Sequence, residues 1–191
     1  MKKIYVPLVV CLFLTVSSFA QTYYWIGPSS GAGGNWNDNN NWSFSSGGGS
    51  AGSFPNSSVH NVIFDQNALV NVNLENIDLL SLTVTSSRTA KMFVGGSMTA
   101  PTINLFSTSL VSPALRINSG SRLEDSCDTN IPFVISFNSD AKGLIDGTWY
   151  FAGRSTVLGA NGATFSLPGL TGLTNRLDVN GTIQFRNNTL C

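Results

Sequence analysis

Trp25, Trp36 and Trp42 are the first residues in the chain that could hold a ligand. Exposed indole faces pack well on pyranose rings, so the three could form a sugar-stacking platform. Their setting argues for a second role. In "GGNWNDNNNW" (33–42), Trp36 and Trp42 bracket a run of Asn and Asp, which are turn formers. The expectation is therefore a structural corner: the asparagine tip makes the turn and the tryptophans fold over the first strands. The densest acidic group is in "LEDSCDTN", where Glu124, Asp125 and Asp128 offer hard oxygen ligands for Ca²⁺. The stretch lacks the alternating spacing of a calcium loop, and a solvated turn is the simpler reading. His60 is the only histidine, and no Gly-x-Ser-x-Gly elbow accompanies it. One histidine and scattered cysteines do not make a zinc site either. Glycosidase or pectate-lyase-like chemistry needs clustered carboxylates, with a base or a metal, along one face. Asp65, Glu75, Asp78, Asp140, Asp146 and Asp178 stand singly instead. No catalytic residue, metal or cofactor is expected.

The elements that would carry these residues are strands. "LVNVNL" puts Val70, Val72 and Leu74 on one face, "LLSLTVT" puts Leu80, Leu82 and Val84 there, and "IPFVISFN" adds Ile131, Phe133, Ile135 and Phe137. A period of two with β-branched and aromatic residues predicts half-buried strands, and no amphipathic helix is visible. A corner motif recurs in "VGGSM" (94–98), "INSGSRL" (117–123), "IDGTW" (145–149) and "VNGTI" (179–183). Its glycines, Gly96, Gly120, Gly147 and Gly181, are expected to turn the chain at positive φ, with a hydroxyl residue bonding the freed backbone. Units of this length with one corner each predict an all-β fold, a β-solenoid capped by the Trp segment, with a β-sandwich as the alternative. "GPSSGAGG" and "SSGGGSAGS" read as flexible loops projecting from that cap.

Bulk properties narrow the class. "MKKIYVPLVVCLFLTVSSFA" has a basic start, a short apolar run and small residues before Gln21, the pattern of a secretory signal peptide. The run is too short to span a membrane, and Cys11 lies inside it, so a lipoprotein site is not expected there. The expected organisation is a signal at 1–20, an N-terminal cap at 21–60 and solenoid-like repeats at 61–191. Without Lys2 and Lys3 the chain carries 8 basic and 10 acidic residues, and it has no basic patch for nucleic acid and no amphipathic segment for a membrane surface. Only 10% of residues are charged, so the polar faces must be built from Ser, Thr, Asn and Gly, which suits turn-rich β structure. An exported context permits a Cys127–Cys191 disulfide, but sequence leaves the pairing open. The abrupt ending at Cys191 reads as that of an N-terminal fragment or truncated product.

"YYWIGPSSGAGGNWNDNNNWSFSSGG", followed by "FPNSSVHNVIFD", resembles the start of large exported surface proteins of the Bacteroidetes, many of them type IX secretion cargo. The matching positions are Trp25, Gly27, Gly34-Asn35-Trp36, Asn41-Trp42-Ser43, Pro55, Val62, Phe64 and Asp65, within residues 22–65. Where such openings carry acidic residues before the Val-x-Phe strand, this chain has His60-Asn61, so no calcium or polar-bridge role is carried over. The resemblance implies β-helix-like surface or adhesin architecture with a distant C-terminal sorting domain. The expected function is thus an exported, non-catalytic structural or adhesin-type segment, with glycans or host or environmental surfaces as partners. Two other readings remain: a carbohydrate-binding module using the tryptophans, and the non-catalytic front of a polysaccharide-degrading β-helix.

Overall fold

The computed structural model describes residues 20–95, 101–125, 134–138, 140–151, 164–166, 176–179 and 182–185. Gly96, Gly181, Cys127, Cys191 and Asp128, together with residues 1–19, lie outside them. The described chain is all-β. In order its strands are β1 (Gln21–Trp25), β2 (Gly34–Asn35), β3 (Trp42–Ser43), β4 (Ser57–Phe64), β5 (Ala68–Asn71), β6 (Asn76–Val84), β7 (Thr89–Phe93) and β8 (Thr102–Leu105). There follow β9 (Leu115–Ile117), β10 (Arg122–Asp125), β11 (Val134–Phe137), β12 (Lys142–Ile145), β13 (Thr148–Phe151), β14 (Thr164–Ser166), β15 (Arg176–Val179) and β16 (Thr182–Phe185). Two sheets result. The first has ten strands and is parallel apart from the short antiparallel pair β1–β3; the second runs β2-β5-β7-β10-β13-β16, all parallel.

Alternate residues of both sheets meet in one apolar core, where like positions stand in ladders. Trp25, Phe64, Val84, Ile117 and Ile145 are buried one beyond the next: Tyr24 pairs with Ile63, Phe64 with Val84, Val84 with Ile117 and Ile117 with Ile145. Ile77, Ile103 and Ile135 form a second ladder, and Ala68, Ala90, Leu123 and Trp149 a third. Each such side chain contributes roughly 1.5–3 kcal/mol on burial.

Four expectations need correction. The boundary placed between residues 60 and 61 falls inside β4. The Trp segment is no separate cap, because β1 and β2 pair in parallel with β4 and β5 as part of the same two sheets. Leu80 does not join Leu82 and Val84 in the core: Leu79 is the buried residue. The pairing of β4 with β6 shifts register between Ser57 and Asn61, and that irregularity flips the alternation. Finally, "VGGSM" is not a copy of the corner. Ile117 pairs with Val84 and Ile145, so the counterpart of "INSGSRL" is "VTSSRT" (84–89), which has no glycine.

That counterpart explains itself at one residue. Gly120 has φ 71° and Ser87, stacked beside it, has φ 63°, so serine occupies the left-handed region that glycine takes one layer on. The backbone bonds Asn118 N–H to Val84 O (3.1 Å) and Arg122 N–H to Arg88 O (2.8 Å) lock the two corners together. Ser87→Gly should therefore raise stability by up to about 1 kcal/mol and Gly120→Ala lower it by about as much. Denaturation midpoints moving in the same direction for both variants would refute this account.

Candidate functional site

The sequence-predicted binding residues are all buried. Trp25, Trp36 and Trp42 are each 0% exposed, so no ring face is free to stack on a sugar, and the platform reading is overturned. Their rings pack edge to face, Trp36 on Trp42 at 4.8 Å and Trp25 on Trp42 at 5.0 Å, with Phe64 and Tyr23 at the margin. Each indole N–H finds a carbonyl: Trp36 donates to Pro55 (2.8 Å), Trp42 to Trp36 (2.7 Å) and Trp25 to Pro28 (3.2 Å). The asparagine run also divides. In the 3-10 turn Asn39–Asn41, capped by Asp38, Asn39 and Asn40 are exposed, whereas Asn41 is buried and donates its amide to Asn35 O at 2.9 Å. A Cβ on Gly27 or Gly34 would strike the Asn41 amide and the Trp25 ring at 2.6–2.9 Å. The spacing Trp-x-Gly, Gly-Asn-Trp, Asn-Trp-Ser is thus a packing requirement.

The other candidates separate as well. Glu124 lies in β10 and pairs with Lys91 (3.5 Å) and with Arg122 Nε (2.8 Å, at an angle that makes no hydrogen bond). Arg122 in turn lies over the Tyr150 ring at 3.8 Å. Glu124 is therefore half of a surface ion-pair group and belongs to a strand, where a turn was expected. Among the described residues no three His, Cys, Asp or Glu side chains gather as for a metal. Gly120 has the expected positive φ, but Gly147 does not; it is needed for close approach, argued below.

His60 packs on Tyr23 at 4.9 Å and accepts the Asn56 N–H at Nδ1 (3.2 Å). Burial lowers its pKa from 6.5, and the neutral ring is the one that can accept that bond. As pH falls through about 6.5 the unfolded chain takes up the proton before the folded chain does, so stability should decline from there until the folded ring also titrates. Melting temperatures at about pH 7.5 and about pH 5.5 should differ in the parent and converge in His60→Gln. An equal drop in both would assign the effect elsewhere.

What the sequence did not announce is a half-open groove of about 440 Å³ on the outer face of the first sheet. Its floor is two outward ladders, Thr22–Asn61–Ser81 and Ile63–Thr83–Arg116, brought together by register. Its wall is the loop 106–114, where Val111, Ser112 and Pro113 line the groove. The loop is held at both ends: Ser107 N–H bonds Leu80 O and Leu82 N–H bonds Ala114 O, each at 2.8 Å. Ser109 Oγ accepts the Val111 and Ser112 N–H groups, both at 3.1 Å, and presents Val111 86% exposed at the tip.

No family model, curated protein or solved structure matches this chain.

The groove's chemistry must therefore be read from its own atoms. Ser81 donates its hydroxyl to Asn61 Oδ1 at 2.7 Å, which leaves the Asn61 amide hydrogens for the groove. Arg116 Nε donates to Asn118 Oδ1 at 2.6 Å, and the guanidinium has no acidic partner among the described residues. One positive charge, that of Arg116, stands among hydroxyls and an amide. Such a lining can bind; it holds no nucleophile–base pair that would do acyl or glycosyl chemistry. Arg116 and its neighbours escaped sequence reading because each looks like an ordinary outward residue of an alternating strand. Only the register brings positions 22 and 116 to one place.

Proposed function

We propose that the chain is a segment of an exported bacterial surface protein, built as a β-solenoid whose first coil is aromatic, and structural or adhesive in role. The observation that carries this reading is the in-register parallel pairing of strands far apart in sequence. Val62 lies opposite Leu82, 20 residues on, and Tyr23 opposite Val62, 39 residues on, while the chain passes from one sheet to the other and back. β-sandwiches pair mainly antiparallel strands through hairpins, and long parallel stacks without crossover helices fit coils laid one on another. Outer faces of amide and hydroxyl ladders suit contact with hydroxyl-rich surfaces such as glycans. The leader-like residues 1–20 and the Bacteroidetes-like opening support export.

The reading is tested by expressing the full chain in a bacterium of that group. Surface proteolysis of intact cells should remove it, and N-terminal sequencing should begin at Gln21. Intracellular material retaining Met1 would overturn export. Cysteines replacing Asn35 and Asn71, which are register partners, should crosslink within one molecule; failure to do so would overturn the solenoid.

A further inference from the structure

The geometry points to the groove under the loop 106–114 as a binding site for a carboxylate-bearing saccharide, a uronate unit within an acidic polysaccharide. This rests on the reading of the chain as a non-catalytic surface segment and names what that surface takes. Arg116 supplies the specificity. Its Nε is held by Asn118 at 2.6 Å, which fixes the plane of the guanidinium, and its charge has no acidic partner among the described residues. A planar guanidinium fixed in this way matches a carboxylate better than a single hydroxyl does. Thr22, Thr83 and the Asn61 amide offer further donors to ring hydroxyls and ether oxygens, and neither threonine hydroxyl bonds another described residue. Ile63 and Val111 add short apolar stretches against which the C–H face of a sugar can lie. A half-open groove of about 440 Å³ lies in the range of small-ligand sites, with room for a saccharide unit. A peptide carboxylate would find the same guanidinium. The row of hydroxyl and amide donors favours the polyol.

The test is calorimetric titration of the purified full chain with glucuronate and galacturonate oligomers, with their methyl esters, with an acidic peptide and with inorganic phosphate. Binding of an acidic oligomer is expected, with the matching ester, the peptide and phosphate each at least about tenfold weaker. Arg116→Gln should weaken the acidic oligomer about tenfold or more and leave the ester unchanged. Val111→Asp, at an 86% exposed position that does not endanger folding, should weaken it several-fold by placing a like charge at the mouth. Absence of binding by every acidic oligomer, equal binding of ester and acid, preference for the peptide or phosphate, or an unchanged affinity in both variants would each overturn the proposal. None of these outcomes touches the solenoid reading, which stands or falls on the Asn35–Asn71 crosslink.

Discussion

Trp42→Ala should cost about 3–5 kcal/mol, the range of large aromatic truncations in a closed core. Trp42 is fully buried, and its ring is in edge contact with Trp36, Trp25 and Tyr23 at 4.8, 5.0 and 6.5 Å. Truncation would remove those contacts together, each worth about 0.5–1.5 kcal/mol beyond area, and would leave the Trp36 carbonyl without its 2.7 Å donor. It would also weaken β3, the end strand of the first sheet, whose Trp42 stands opposite Trp25 and covers that part of the β1 edge. By contrast, Asn39→Ala and Asn40→Ala should change stability by less than about 0.5 kcal/mol, since both side chains are exposed. Urea melts followed by near-ultraviolet circular dichroism read both effects. Near-native stability of Trp42→Ala would mean that the aromatic cluster is not what holds the first strands together.

Gly147→Val should cost about 1–3 kcal/mol or more through overpacking against backbone. A Cβ there would sit 2.5 Å from the Ser121 carbonyl oxygen and closer still to that of Asn118, with Ile117 Cγ2 at 3.0 Å. Those carbonyls belong to the corner before it, where Ser121 O accepts Thr148 N–H at 2.9 Å across the two corners and Asn118 O accepts Ser121 N–H at 3.0 Å within its own, so neither can yield without breaking a backbone bond. The requirement differs in kind from that at Gly120, where an added Cβ has nothing nearer than 3.7 Å and only the dihedral objects. Asn, which tolerates the left-handed region, should therefore be accepted at 120 and rejected at 147. Equal tolerance at both sites, by denaturation midpoint, would remove the distinction.

The strand alternation was legible because a sheet with one apolar face forces a period of two, and Val70, Val72, Ile135 and Phe137 are buried as that period requires. The corners at 117 and 145 were legible through their residue types, and register does set Ile117 beside Ile145. The corner at 84 was hidden because stacked backbone bonds impose a left-handed residue on Ser87, where propensity alone would have asked for glycine. Tryptophan composition pointed equally to a platform and to a core; the decision lay in Gly27, Gly34 and Asn41, whose small size and buried amide make room for the rings. The groove left no local signature at all. Thr22, Asn61, Ser81 and Arg116 become neighbours only after the passes of chain align, and alignment is a property of the whole stack.

Asparagines on the outside of the second sheet join its first two passes. Asn71 gives its amide to Asn35 Oδ1 at 2.9 Å, Asn73 to Asn37 Oδ1 at 2.7 Å, and Asn71 Oδ1 then takes the N–H of Gly95 at 2.8 Å. These tapes carry no ionisable group, unlike the charged rows that lace many protein exteriors. Dissolved ions that screen a salt bridge have nothing to screen here. The passes joined by these amides should cling to one another as firmly in brine as in fresh water, whereas the Lys91–Glu124 contact between β7 and β10 should loosen as salt rises.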